Sequence, residues 1–212
     1  MEEKSFSAGN AGPDVRSDCR ITYTPSGERL SVTINSKVIS MYGKSIHDQI
    51  MEILTFYDIH TGNIYVEDSG ALPFVIAART EAAIRMATGS TKEFILPKIQ
   101  SAMEPPVQDR LRMTRLYIPG NTPKLMINAG IHQPDGIILD LEDSVAPEKK
   151  FEARILVRNA LCQVDFLGAE RMVRINQYPA GREDLVSILP HNVHMILLPK
   201  TETAEQIRDM EE

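Results

Sequence analysis

The chain has no tryptophan, two cysteines, 6% aromatic residues and no long apolar run. So few aromatics leave little for the stacking platforms on which single-stranded nucleic acids are held. Cys19 and Cys162 lie far apart in the sequence, the usage of a reduced chain with two incidental thiols rather than of a disulfide framework. The longest apolar runs, Ala71–Ala78 and Met195–Pro199, fall far below the roughly 18 residues that a membrane helix needs. There is no basic excess either: 23 Lys+Arg face 29 Asp+Glu, for a net charge of −6, and nonspecific nucleic-acid binding asks for a basic stripe. The opening MEEKSFSAGNAGPD has no apolar core, so it does not read as a secretory signal. The expectation is a cytoplasmic protein without nucleic-acid or membrane partners.

What is present is ordinary globular material, 42% hydrophobic and 25% charged over 212 residues. At roughly 100–200 residues per domain, that length fits one large domain or two small ones. Two different patterns favour a division. Residues 1–16 are small and polar and read as a mobile tail. From Cys19, Ile21, Tyr23, Leu30, Val32 and Ile34 alternate about Pro25-Ser26-Gly27, which predicts a β-hairpin. Ile46, Ile50, Ile53, Leu54 and Tyr57 then recur at helical spacing, up to a stop at His60-Thr61-Gly62. A strand over Asn63–Glu67, a turn at Asp68-Ser69-Gly70 and a helix over Ala71–Ala87 complete a ββαβα unit over 17–88, with Arg79 and Arg85 on the polar side of the last helix. Between 89 and 112, Gly89-Ser90-Thr91, Pro97 and Glu104-Pro105-Pro106 break every period, as in a linker.

From 113 to 212 strands and helices alternate strictly. Strands are expected at Arg115–Ile118, Gly136–Leu141, Glu170–Asn176 and Met195–Pro199. Helices are expected at Thr122–Ala129 with Thr122 as N-cap, from Pro147 through Phe151, Ile155 and Cys162, at Arg182–Ile188 and at Thr203–Glu212. Strand and helix in alternation mean βαβ units and a parallel sheet, and the run GIILDL suits a strand buried on both faces. A full (β/α)8 barrel needs eight such units and about 250 residues. Four units predict either a small open α/β domain or the first half of a barrel whose remainder is missing.

In parallel α/β sheets ligands gather at the C-terminal edge of the strands, and the chemistry-bearing residues fall there. Asp140-Leu141-Glu142-Asp143-Ser144 ends the second strand; its carboxylates can bind a metal, accept a proton or hold a hydroxyl, or else cap the following helix. Val173-Arg174-Ile175-Asn176 puts a guanidinium between apolar neighbours, where it suits a substrate carboxylate bidentately or a salt bridge to Asp140 or Glu142. Lys200 closes the fourth strand in Leu198-Pro199-Lys200-Thr201. Pro119-Gly120-Asn121 closes the first, in a turn whose exposed amides can meet a phosphate. Lys149, Lys150 and Arg154 read as a solvated helix face. His191 and His194 are one helical turn apart, but no third metal ligand accompanies them. Ser17, just before the first strand, is on composition alone a turn residue.

These residues carry a resemblance. From Ser17 to about Arg85 the chain resembles the acyl carrier (gamma) subunit of citrate lyase: Ser17-Asp18 before an alternating strand, the Pro25 turn, and Asp68-Ser69-Gly70-Ala71 leading into a helix with Arg79. From Arg115 onward it resembles the citrate lyase beta subunit, in the HpcH/HpaI aldolase family, through Pro119-Gly120-Asn121, Leu139–Val145, Val173–Asn176 and Leu198–Thr201. The resemblance implies a barrel that cleaves a citryl thioester to oxaloacetate and an acetyl thioester. Arg174, Glu142 and Asp143 would be catalytic, and Arg174, Asn176 and Lys200 would bind substrate. Mg²⁺ is implied as cofactor, its ligands lying on later strands rather than in this chain. It further implies a 2'-(5''-triphosphoribosyl)-3'-dephospho-CoA arm on Ser17, which would make the carrier a phosphoprotein. Pro119, Gly120 and Asn121 would contact the CoA-derived group. In the carrier pattern the serine stands two places before the aspartate, where this chain has Arg16. Implied partners are the thioester, oxaloacetate, an alpha-type transferase subunit and further copies in a homo- or hetero-oligomer. Two other readings share the residues: a lyase for free CoA thioesters of the malyl-CoA or citryl-CoA type with a vestigial carrier, and a non-catalytic carrier or interaction module.

Overall fold

A computed structural model describes residues 4–211. They form two compact units divided between Leu96 and Pro97.

In the first unit, β1 (Phe6–Gly9), β2 (Cys19–Arg29), β3 (Ser31–Ser36), α1 (Ile39–Phe56), β4 (Thr61–Asp68) and α2 (Pro73–Thr88) follow in order. The sheet order is β1-β2-β4-β3. β2 is antiparallel to β1 and β4, while β3 runs parallel to β4 with α1 as the crossover. Two expectations change. The tail expected through residue 16 contains β1, whose Ala8 packs into the core at 1% exposure. The hairpin at Pro25-Ser26-Gly27 does not form. β2 continues to Arg29 through an irregularity between Thr24 and Arg29, and β4 inserts between β2 and β3. Alternation identifies strands but not their partners, and here a parallel pairing through α1 displaces the local one.

The helices follow their periodicity. α1 buries Ile46, Ile50, Ile53 and Leu54. α2 begins with Pro73 in its first turn, where the missing N–H is no loss, and Gly89 ends it at φ 69°, the left-handed conformation that favours glycine. The side chain of Arg79, expected on the polar side of α2, is fully buried. Its guanidinium donates to both oxygens of the buried Asp18, at 3.0 and 3.1 Å.

In the second unit, β5 (Arg115–Pro119), α3 (Pro123–Ile127), β6 (Gly136–Asp140), α4 (Lys150–Gln163), β7 (Glu170–Arg174), α5 (Ala180–Ile188), β8 (Met195–Leu197) and α6 (Ala204–Glu211) alternate as expected. The sheet is parallel throughout, in the order β5-β6-β7-β8. All five residues of β6 are buried, as the GIILDL run requires of a strand covered on both faces. Thr122 sits at the start of α3 but makes no capping bond; its hydroxyl donates to the Asn121 side chain instead. The segment read as a linker is tied down at both ends. The Lys92 carbonyl accepts from Tyr57 in the first unit. In the second, the Ser101 and Glu104 carbonyls accept from Arg171, and Ala102 is fully buried. Proline-rich composition reports the lack of a repeat, not the lack of packing.

Candidate functional site

The C-terminal ends of β6, β7 and β8 converge. The parallel register places Asp140 opposite Arg174, and Arg174 opposite Leu197. Asp140, 1% exposed, receives Arg174 Nε and Nη2 at 2.7 Å each, a bidentate fork. It also accepts from the amides of Glu142 and Ser144. The carboxylate therefore folds its own loop and fixes the guanidinium in one plane. Burial pushes Asp140 up, but the Arg174 fork, Ser144 and the Glu142 amide outweigh it and hold the carboxyl at about 2. Asp140 in return pushes Arg174 further up.

With Nε and Nη2 engaged, Nη1 is the edge that Arg174 turns to the loop. It lies 3.1 Å from Glu142 Oε2 and 3.7 Å from Asp143. The Glu142 contact is one of charge, without hydrogen-bond alignment. The guanidinium carbon is 5.3 Å from the centre of the Tyr117 ring. Lys200, in the left-handed region at φ 49°, reaches across from beyond β8 to Glu142 at 2.8 Å and Asp143 at 3.1 Å. Glu142 also accepts from Gln177 at 3.1 Å. Burial raises the Glu142 carboxyl, and Lys200, Gln177 and Arg174 lower it by more. A carboxylate held below its usual range is a poor proton acceptor near neutral pH and a good holder of positive charge.

Four of the residues singled out in the sequence thus form one cluster: Glu142, Asp143, Arg174 and Lys200. Asn176 lies beside it, but its backbone N–H and its side-chain amide both donate to Asp184, at 2.8 Å each, which pins the end of β7 to α5. At the Pro119-Gly120-Asn121 turn, two amides are engaged within the protein. The Gly120 amide donates to the Asp140 carbonyl at 2.8 Å, and the Thr122 amide to the Pro119 carbonyl. A Cβ on Gly120 would stand 2.6 Å from the Asp140 carbonyl oxygen, so glycine here serves the close approach of two strand ends. His191 and His194 separate: His191 lies 3.4 Å from Cys162 Sγ, and His194 packs on Arg171.

Three contributors escaped sequence reading. Tyr117 and Gln177 belong to no charged motif, and only the strand register brings them to Arg174 and Glu142. Lys150, placed on a solvated helix face, donates Nζ to the carbonyls of Leu141 and Glu142 and so clamps the carboxylate loop. Its position at the first residue of α4, directly after that loop, was the available signal.

In the first unit Ser17 is half-buried and adopts φ 57°. Its amide donates to the Ser69 carbonyl, and the Ser69 amide donates back to the Asp18 carbonyl. Asp68 accepts from the amides of Gly70 and Ala71 and from the Ser36 hydroxyl. The Asp68–Ala71 turn thereby holds Ser17-Asp18 at the start of β2, and Arg79 locks Asp18 from below.

A small α/β unit with a serine at a braced turn precedes a parallel βα segment whose strand edge offers an oriented arginine amid carboxylates. Comparison with known proteins finds likenesses for both. Residues 7–87 match the acyl carrier (ACP) family profile described as malonate decarboxylase delta subunit (MdcD), and residues 113–212 match the HpcH/HpaI aldolase/citrate lyase family. The second segment is 40% identical over 105 residues to citrate lyase subunit beta of Leuconostoc mesenteroides subsp. cremoris, covering 49% of this chain and 35% of that protein. It is 37% identical over 101 residues to human mitochondrial citramalyl-CoA lyase (46% of this chain, 30% of that protein). It is also 36% identical over 95 residues to a (3S)-malyl-CoA thioesterase of Cereibacter sphaeroides (44% and 33%). The chain spans about a third of the length of these relatives. The carrier and citrate lyase beta resemblances of the sequence are both shown at this level. Among the described residues no helix is long and apolar enough to cross a membrane.

Proposed function

We propose that the chain is the carrier and amino-terminal barrel portion of a carbon–carbon lyase that cleaves a citryl thioester to oxaloacetate and an acetyl thioester. The observation that carries the reading is the Arg174 fork. Asp140 fixes two of its nitrogens, and Nη1 stands at the strand edge 3.1 Å from Glu142, the posture of a guanidinium whose plane is set before a substrate carboxylate takes over that contact. The names of the relatives support the reaction class.

In the cleavage a base takes the tertiary hydroxyl proton, and the O–H pair becomes the carbonyl of oxaloacetate. The carbon–carbon pair leaves on the acetyl thioester as its enolate, which is then protonated. Arg174 orients the substrate. Glu142 and Asp143, joined by Lys200, frame the charge around it, and the low Glu142 carboxyl suits that role better than the role of base. Magnesium, which the family implies, would supply Lewis-acid stabilisation of developing negative charge. The described residues do not themselves compose its site: Asp140 and Glu142 are engaged by Arg174 and Lys200, and no group of three or more His, Cys, Asp or Glu suited to a metal occurs among them.

In the carrier unit Ser17 bears the CoA-derived arm, attached by separate arm-transferring enzymes, and an alpha-type transferase subunit is its partner inside an oligomeric, cytoplasmic complex. Half-burial at a braced turn suits a hydroxyl that must be reached by a modifying enzyme and then held in place. Coexpression with arm-transferring enzymes should add the arm's mass to the native chain and not to Ser17→Ala; mass retained on Ser17→Ala refutes Ser17 as the attachment site. A second reading, cleavage of free CoA thioesters, is favoured by the relatives named for malyl-CoA and citramalyl-CoA. The ratio of kcat/KM for carrier-bound and free CoA thioesters separates the two.

A further inference from the structure

The carrier unit contains a groove of about 440 Å³ between the first turns of α1 and α2, within the roughly 300–1,000 Å³ usual for small-molecule pockets. Tyr42, Ser45, Ile46 and Gln49 form one wall; Gly70 and Ala71 begin the other. No lining residue is charged. The Ser45 hydroxyl donates to the Tyr42 carbonyl and the Gln49 amide to the Pro73 carbonyl, so the walls carry a few polar groups on an apolar surface. Of the lining, Tyr42 and Leu72 are 54% and 43% exposed, and Ile39 and Met41 in the same first turn of α1 are exposed as well, more apolar surface than a solvated helix start needs.

The position of the groove indicates its occupant. The Ser17 amide bonds the Ser69 carbonyl, and the next two residues, Gly70 and Ala71, are groove wall. Gly70 sits at φ 81° with open space where a Cβ would lie. The phosphate end of an arm on Ser17 therefore starts one residue from the groove wall, and the pantetheine, at the arm's far end, reaches the groove by folding back along the surface. The absence of charge rejects phosphates and carboxylates, which would lose their hydration without a partner. It accepts a neutral chain of amides and methyl groups.

We infer that the groove binds the pantetheine stretch of the arm on Ser17, holding it against α1 while the phosphate-bearing part stays in solvent. The inference rests on the reading of Ser17 as the attachment site. It gives the carrier unit a resting state in which the arm lies along its surface instead of moving freely, and explains why apolar residues flank the start of α1.

Amide ¹H–¹⁵N spectra of the full chain, unloaded and loaded, test it, with intact mass recording the loading. Loading should shift the amides of Tyr42, Ser45 and Gln49 on α1, which lie across the groove from Ser69, and leave Glu52 and Thr55 in place. Free pantetheine added to the unloaded chain should shift the same set saturably. Ser45→Trp, an exposed helix position whose indole fills the groove, should load to full mass yet lose both responses. Loaded mass without α1 shifts overturns the groove while Ser17 stands. Absence of added mass overturns the Ser17 reading, and the groove is then decided by pantetheine alone: saturable α1 shifts support it as a pantetheine site, and none overturn it.

Discussion

Arg79→Met should loosen the carrier unit as much as truncating a large core side chain, about 3–5 kcal/mol. Arg79 is 0% and Asp18 3% exposed, and the fork between them makes two bonds of 3.0 and 3.1 Å. Asp18 further accepts from the Cys19 amide and from Asn10, so it cannot turn to solvent without releasing β2. Removing one partner of a buried ion pair leaves an uncompensated charge and costs roughly 3–5 kcal/mol. At about 1.4 kcal/mol per decade, that is roughly two to four orders of magnitude in the opening equilibrium. Native-state hydrogen exchange at Ile21, Ile64 and Val66, the buried centres of β2 and β4, reads that equilibrium for this unit alone. Protection there should fall by the stated factor, and Asp18→Leu added to Arg79→Met should restore most of it, because an apolar pair leaves no charge buried. Loss of less than tenfold in the single variant, or a double variant worse than the single, refutes the reasoning.

The remaining predictions concern the strand edge and the arm. Asp140 is held at about 2, below the 3.8 of an ordinary aspartate, so its stabilisation is complete above pH 4 and is lost as the pH falls through 2. It amounts to about 2 kcal/mol, and wild type should lose that much more than Asp140→Asn between pH 5 and 2 in urea titrations; parallel curves contradict it. Gly120→Ala places a methyl 2.6 Å from the Asp140 carbonyl oxygen and 3.1 Å from Val157. It should cost about 1–3 kcal/mol, and an unchanged urea midpoint contradicts that. The arm's mass should disappear with Ser17→Ala, as set out above.

Periodicity carried most of the second unit. All four strands and the buried character of β6 follow from the spacing of apolar residues, and so does the gathering of Glu142, Asp143, Arg174 and Lys200 at one edge. Partner choice was not legible. Whether Arg174 faces a ligand or Asp140 depends on a register that no local pattern states, and the structure has it fixed by Asp140 at two nitrogens with the third against Glu142. The Pro25 hairpin failed for the same reason, since β4, 30 residues on, takes the place beside β2. Arg79 was misplaced because a helical wheel sees charge but not the buried aspartate that will neutralise it. Lys150 was passed over because lysines near a helix start are ordinarily solvated; here two loop carbonyls lie within its reach.

The central claim is that Arg174 orients the carboxylate of a thioester substrate for cleavage. Its most direct test is kcat/KM for citryl-thioester cleavage, followed by oxaloacetate formation in the full-length protein bearing these residues, for wild type, Arg174→Ala and Arg174→Lys. Loss of a charge-assisted fork is worth about 2–5 kcal/mol, so Arg174→Ala should lose roughly a thousandfold. Arg174→Lys, which keeps the charge but not the planar fork, should recover part of it. Unchanged kcat/KM in Arg174→Ala, with the fold intact, contradicts the account.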